Sequence, residues 1–110
     1  MLKFKGVFKK REPEAVRSKA QEAALRAVER LRGELLSKIR SARKVEDFEK
    51  IDKELFEEHL KKVDNLVAEH SLENTLSLKF KKEMLDEMYA QATKMRQYEW
   101  AAAFAKRHGF

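Results

Sequence analysis

The chain has 110 residues, 43% of them hydrophobic and 40% charged, with three glycines, one proline, no cysteine and a net charge of +6. That length suits one domain around one core, and the lack of cysteine excludes disulfides and thiolate zinc sites as staples. A charged share far above the usual quarter, with so few turn-forming residues, favours long surface-exposed helices over strands.

The charge is unevenly spread. Residues 1–12 carry a net +4, residues 13–43 another +4, residues 44–70 a net −4 and residues 71–110 a net +2. A cationic leading portion is thus set against an anionic middle.

The opening stretch, MLKFKGVFKKR, interleaves Lys3, Lys5, Lys9, Lys10 and Arg11 with Leu2, Phe4, Val7 and Phe8. No apolar run of signal-peptide length follows these cations, and no stretch reaches the roughly 18 apolar residues of a bilayer span. A cytoplasmic protein is expected. Alternation at period two suits neither a helical membrane anchor nor an amphipathic presequence, which counts against a membrane-surface role. Residues 1–11 are instead expected to form a basic arm. Its lysines, with Arg11, Arg17 and Lys19, would contact phosphates by counterion release, and Phe4 and Phe8 would stack on unpaired bases.

A first helix is expected over about 12–43. Pro13 suits a first helical turn because its missing N–H would be unpaired there, and Glu14 complements the positive helix end. Val16, Ala20, Ala24, Val28, Leu31, Leu35, Ile39 and Ala42 then recur at steps of three and four, which is one helical face. The mean step of about 3.7 exceeds the 3.5 of a heptad, so a tight left-handed coiled-coil seam is not indicated. Gly33 interrupts this helix at a cost of roughly 1 kcal/mol, and close approach of a neighbouring helix is the expected reason.

A turn is expected near 43–45, where the cationic run ending at Lys44 gives way to Glu46 and Asp47. Cations suit a helix C-terminus and carboxylates an N-terminus. The second helix, about 45–70, presents Phe48, Ile51, Leu55, Phe56, Leu60, Val63, Leu66 and Val67 on one stripe, opposed by Glu46, Glu49, Glu57, Glu58 and Asp64. His59 falls at the edge of that stripe and His70 at the helix end. Ser71 or Thr75 is expected to cap a third helix over about 72–108. Leu76, Phe80, Met84, Leu85, Met88, Tyr89, Ala92, Met95, Trp100 and Phe104 form its apolar side, and Lys106, Arg107, His108 and Gly109 form its C-terminal signature. Neither Gly nor Pro occurs between Gly33 and Gly109. A continuous helix over 45–108, completed by dimerisation as a long hairpin, is therefore the alternative to the expected elongated antiparallel three-helix bundle.

No residue pattern points to catalysis, and no cofactor is implied. Residues three before His59, His70 and His108 are Phe56, Val67 and Ala105, so the Glu-x-x-His motif of di-iron bundles is missing and no metal ligands are assigned. Phosphate-cradling glycines and a base paired with a nucleophile are not recognisable either. Adjacent Glu57 and Glu58 diverge by about 100° on a helix and do not form a working carboxylate pair. Binding is the expected role. Tyr98, Trp100 and Phe104 cannot all face one core, because positions 98 and 100 lie about 200° apart on a helix, so at least one aromatic should be open to a partner. The chain reads as a non-enzymatic helical adaptor or regulatory protein that binds a protein partner. A sequence-nonspecific nucleic-acid-binding protein is the alternative, and a homodimer would also cover an outward aromatic.

Overall fold

The computed structural model describes residues 18–109, which contain helices and turns and no strand. Helix α1 is Lys19–Ser41. Helix α2 starts as Val45–Glu54, passes through a π-helical turn at Leu55–His59 and continues as Leu60–Glu69. Helices α3 and α4 are Thr75–Lys94 and Tyr98–Arg107. The all-α class holds, but the described residues form four helices, not three. The basic arm, Pro13, Glu14 and Val16 lie outside the described residues.

Helix α1 starts at Lys19 because Ser18 takes extended backbone, at φ −73° and ψ 163°, and caps it; the expected start near residue 12 lies outside the described residues. Its Oγ accepts from the Gln21 N–H, while Gln21 Oε1 accepts from the Ser18 N–H, both at 3.0 Å. This reciprocal pair satisfies two donors that a helix start would leave unpaired. The α1–α2 turn falls at 42–44, one residue before the 43–45 that the charge reversal suggests. There Asp47 accepts from the backbone N–H groups of Arg43 and Lys44 at 3.0 and 3.1 Å, which holds its carboxyl below the usual carboxylate range.

A continuous helix over 45–108 is ruled out by two reversals. Ser71 takes φ 52°, and Leu72 N–H reaches back to Val67 O at 3.0 Å. Arg96 takes φ 63°, Gln97 N–H bonds Ala92 O at 2.8 Å, and Arg96 N–H bonds Thr93 O at 3.0 Å. Both are left-handed helix stops made without glycine, and the second has the complete pair of backward bonds of a Schellman motif. Ser71 therefore ends α2 instead of capping α3, which starts after Asn74 with no side-chain cap. Gly109, at φ 77°, supplies the expected left-handed stop after α4.

The buried positions of α2 are Phe48, Ile51, Leu55, His59, Val63 and Val67. Four successive steps of four would drift about 40° each around a straight α-helix. The π-helical turn, in which Leu60 N–H bonds Leu55 O, inserts the slack that keeps this seam facing inward. It also brings His59 off the expected edge and into the core at 6% exposure, where its Nδ1–H donates to Glu54 O at 3.1 Å.

Glutamine amides fix how the helices align. Gln21 Nε2 donates to His70 O at 2.8 Å, joining the start of α1 to the end of α2. Gln91 Nε2 donates to Ala42 O at 3.0 Å, joining the ends of α3 and α1. Helix α2 is thus antiparallel to α1 and α3, and α4 folds back beside the first half of α2, with Trp100 against Phe48 and Arg107 on Asp52. Phe48, Phe104, Leu35, Ile39, Leu55, Met84, Met88 and Val63 are the largest wholly buried side chains of the shared core.

Gly33 does not serve close packing: a Cβ built on it meets nothing within 4 Å. Gly33→Ala is therefore expected to stabilise the protein by about 1 kcal/mol. The check is a higher denaturation midpoint in urea with an unchanged m-value.

Candidate partner-binding site

The reversal at Arg96 places residues 96–100 against the α1–α2 turn. Gln97 Nε2 donates to Arg43 O at 3.4 Å, and Val45, Arg96, Gln97, Tyr98, Glu99 and Trp100 line an open groove of roughly 530 Å³. The three aromatics named from sequence divide here. Phe104 is wholly buried and Trp100 half-buried, while Tyr98 is 59% exposed. Trp100 stacks on Phe48 at 5.2 Å and on Phe104 at 4.7 Å, which ties its ring to the core, and it also lines the groove. Tyr98 and Trp100 therefore share this end, and Phe104 supports Trp100 from within.

Arg43, Lys44, Val45 and Arg96 also belong to this end, and neither charge nor apolar spacing assigns them to it. The helix break does leave a signal: after Met88, Ala92 and Met95 the next inward position of an unbroken helix is Glu99, whereas the apolar residues resume at Trp100 and Ala101. That slip marks a broken helix. Arg43, Lys44, Lys94 and Arg96 are exposed at this end and make no ion pair among the described residues. Glu46, Asp47 and Glu99 are its carboxylates, and Asp47 is occupied by backbone N–H groups.

Of the expected polyanion contacts, Lys3, Phe4, Lys5, Phe8, Lys9, Lys10, Arg11 and Arg17 lie outside the described residues. Lys19 is exposed in the first turn of α1. Three other α1 cations are engaged within the chain. Arg32 forms a bidentate pair with Glu83 at 2.8 and 2.6 Å, Lys38 meets Glu54 at 3.1 Å, and Arg40 meets Glu87 at 3.7 Å. Lys19, Arg26 and Arg30 make no ion pair among the described residues and lie within about 40° of one another around α1.

A polar cluster pins the end of α4. Asp52 receives Arg107 Nη2 at 2.6 Å on one oxygen, and its other oxygen stands 3.5 Å from His108 Nε2 without hydrogen-bond geometry. The imidazole stacks flat on Phe56 at 5.0 Å and edge-on to Phe104 at 4.6 Å. Burial pushes its pKa down, opposed by the Asp52 charge and aided by Arg107 and Lys81. Among the described residues no cluster of three or more His, Cys, Asp or Glu could hold a metal ion, and no helix is long and apolar enough to cross a membrane. Comparison with known proteins gives no match: no family model, curated protein or solved structure aligns with the chain.

The direction of the His108 shift has a consequence for stability. The unfolded chain takes up the proton at its ordinary value of 6.5, and the folded chain takes it up only at lower pH. The contribution of neutral His108 is complete above 6.5 and is lost as pH falls from there through the folded value. An NMR titration should place the His108 midpoint below 6.5, and His108→Gln should flatten the stability profile in that window.

Proposed function

We propose that this chain is a non-enzymatic adaptor or regulatory protein that binds a protein partner through the end formed by residues 43–45 and 96–100. One observation carries the proposal: Tyr98 stands 59% exposed beside half-buried Trp100 and exposed Arg96. Tyr, Trp and Arg are the side chains most enriched among interface hot spots. Tyr98 contributes nothing to the core that would require an aromatic at that position. The non-enzymatic part rests on the sequence, which shows no paired nucleophile and base and no phosphate-binding glycines.

A photo-crosslinking phenylalanine analogue at position 98, in the cells that make the protein, is expected to give one dominant protein adduct. The same analogue at Ser37, on the exposed side of α1, should give none. Tyr98→Ala should change folding stability by no more than about 0.5 kcal/mol, because the site is exposed. An adduct of twice the chain mass would make the partner a second copy and overturn the adaptor role. Equal labelling from both positions would remove the site.

Nucleic-acid binding is a second reading, favoured by the shared face of Lys19, Arg26 and Arg30. Affinity for a labelled oligonucleotide should then fall steeply between about 50 and about 200 mM salt. Joint replacement of Arg26 and Arg30 by Ala should weaken binding and make the salt dependence shallower. Unchanged affinity in that variant would exclude α1 as the contact.

A further inference from the structure

Resting on the partner-binding reading above, we infer that the occupant of the Tyr98–Trp100 groove is an acidic segment of a protein, with an apolar side chain seated on Val45 and Trp100 and carboxylates reaching Arg96, Lys44 and Arg43. The groove supplies both halves of such a contact. Val45 and Trp100 are half-buried, so their remaining apolar surface is what an incoming side chain would cover. Arg96 lines the groove with them, and Arg43, Lys44 and Lys94 lie within two residues of it along the chain; all four are exposed cations with no ion pair among the described residues. Glu46, Asp47 and Glu99 oppose them, and Asp47 has one oxygen held by two backbone N–H groups.

The fold gives no reason of its own for one of these cations, Arg96. Lys94 ends α3, where the helix dipole favours positive charge. Arg43 and Lys44 follow the end of α1, where positive charge is favoured, and Lys44 also stabilises the Asp47 carboxylate. Arg96 lies between the end of α3 and the start of α4, so the negative dipole end on one side is offset by the positive end on the other. Arg96 also occupies a left-handed backbone position, φ 63°, that glycine takes without steric cost. An arginine held there against local preference, at the lip of an aromatic groove, points to a guanidinium used for recognition. Carboxylate is the partner group that its planar fork matches in a protein.

Trp100 is the only tryptophan in the chain, so its emission reports on this groove directly. The probe is a short synthetic peptide without Trp, in which one Phe is flanked by glutamates, with a lysine-flanked version and oligothymidylate as the other arms. The acidic peptide should shift Trp100 emission saturably, and the lysine version should not. Arg96→Gly is the decisive variant, because it relieves the left-handed residue while removing the cation. Its melting temperature should rise while its affinity for the acidic peptide falls about tenfold. A second variant, Lys44→Ala, should weaken binding in the same direction. Equal response to both peptides, an unaltered affinity in Arg96→Gly, or a Trp100 response to oligothymidylate alone overturns the acidic-segment assignment. A position-98 adduct whose crosslinked surface is basic also overturns it while leaving the partner-binding reading intact. Absence of any such adduct removes the partner-binding reading itself.

Discussion

The arrangement of this molecule hangs on one backbone residue, Arg96, in the left-handed region. A non-glycine residue there costs about 1 kcal/mol. Were the chain to continue as a helix, residues 75–107 would make a rod of about 50 Å, and α4 would leave α2. Phe104 would then lose its complete burial, and Trp100 its stacking on Phe48. Burial of one large apolar side chain is worth about 2 kcal/mol and an aromatic pair about 1 kcal/mol more. Packing therefore outweighs the strain, and tertiary contact overrides local preference. The two backward hydrogen bonds at Ala92 and Thr93 are the local half of the same bargain.

Legibility in the sequence followed the same division between local signals and packing. The stripe from Ala24 to Ala42, the turn at the Lys44–Glu46 charge reversal and the Gly109 stop each depend on a few neighbouring residues, and they were readable. The capping box at Ser18 and Gln21 was equally local, yet the apolar spacing that continues from Val16 through Ala20 conceals it. The π-helical turn and the Arg96 reversal carry no glycine or proline mark. They follow from which side chains must meet across helices, which shows in sequence only as drift: steps of four in α2 and the slip after Met95. The candidate site was half legible for this reason. Tyr98 and Trp100 could be named from their opposed helical directions, while Arg43, Lys44 and Val45 come beside them only through the fold.

The charge gradient seen in sequence is partly consumed inside the protein. Arg32, Lys38 and Arg40 turn to Glu83, Glu54 and Glu87 on the neighbouring helices. Exposed pairs of this kind contribute at most about 1 kcal/mol each, so they set alignment more than stability, with the bidentate Arg32–Glu83 pair the most directional. Alignment is also set by amides. The chain has three glutamines, and every one donates to a backbone carbonyl of another segment: Gln21 to His70, Gln91 to Ala42, Gln97 to Arg43. Carbonyls at helix ends and turns lack intrahelical partners, and these amides satisfy them while linking one end of the molecule to the next element.

This anchoring bears on what the groove can do. Association loses free energy wherever it must freeze side chains, by about 0.5 to 1.5 kcal/mol for each flexible one. Trp100 is already held by stacking on Phe48 and Phe104, and Gln97 ties the adjoining turn to Arg43. A partner settling on Trp100 and Val45 would thus meet a surface whose apolar part is preorganised. Arg43, Lys44 and Arg96, with no ion pair among the described residues, remain to be ordered. Affinity would then come chiefly from the aromatic floor, whereas the cations, reaching through solvent, would speed encounter and discriminate among partners by charge.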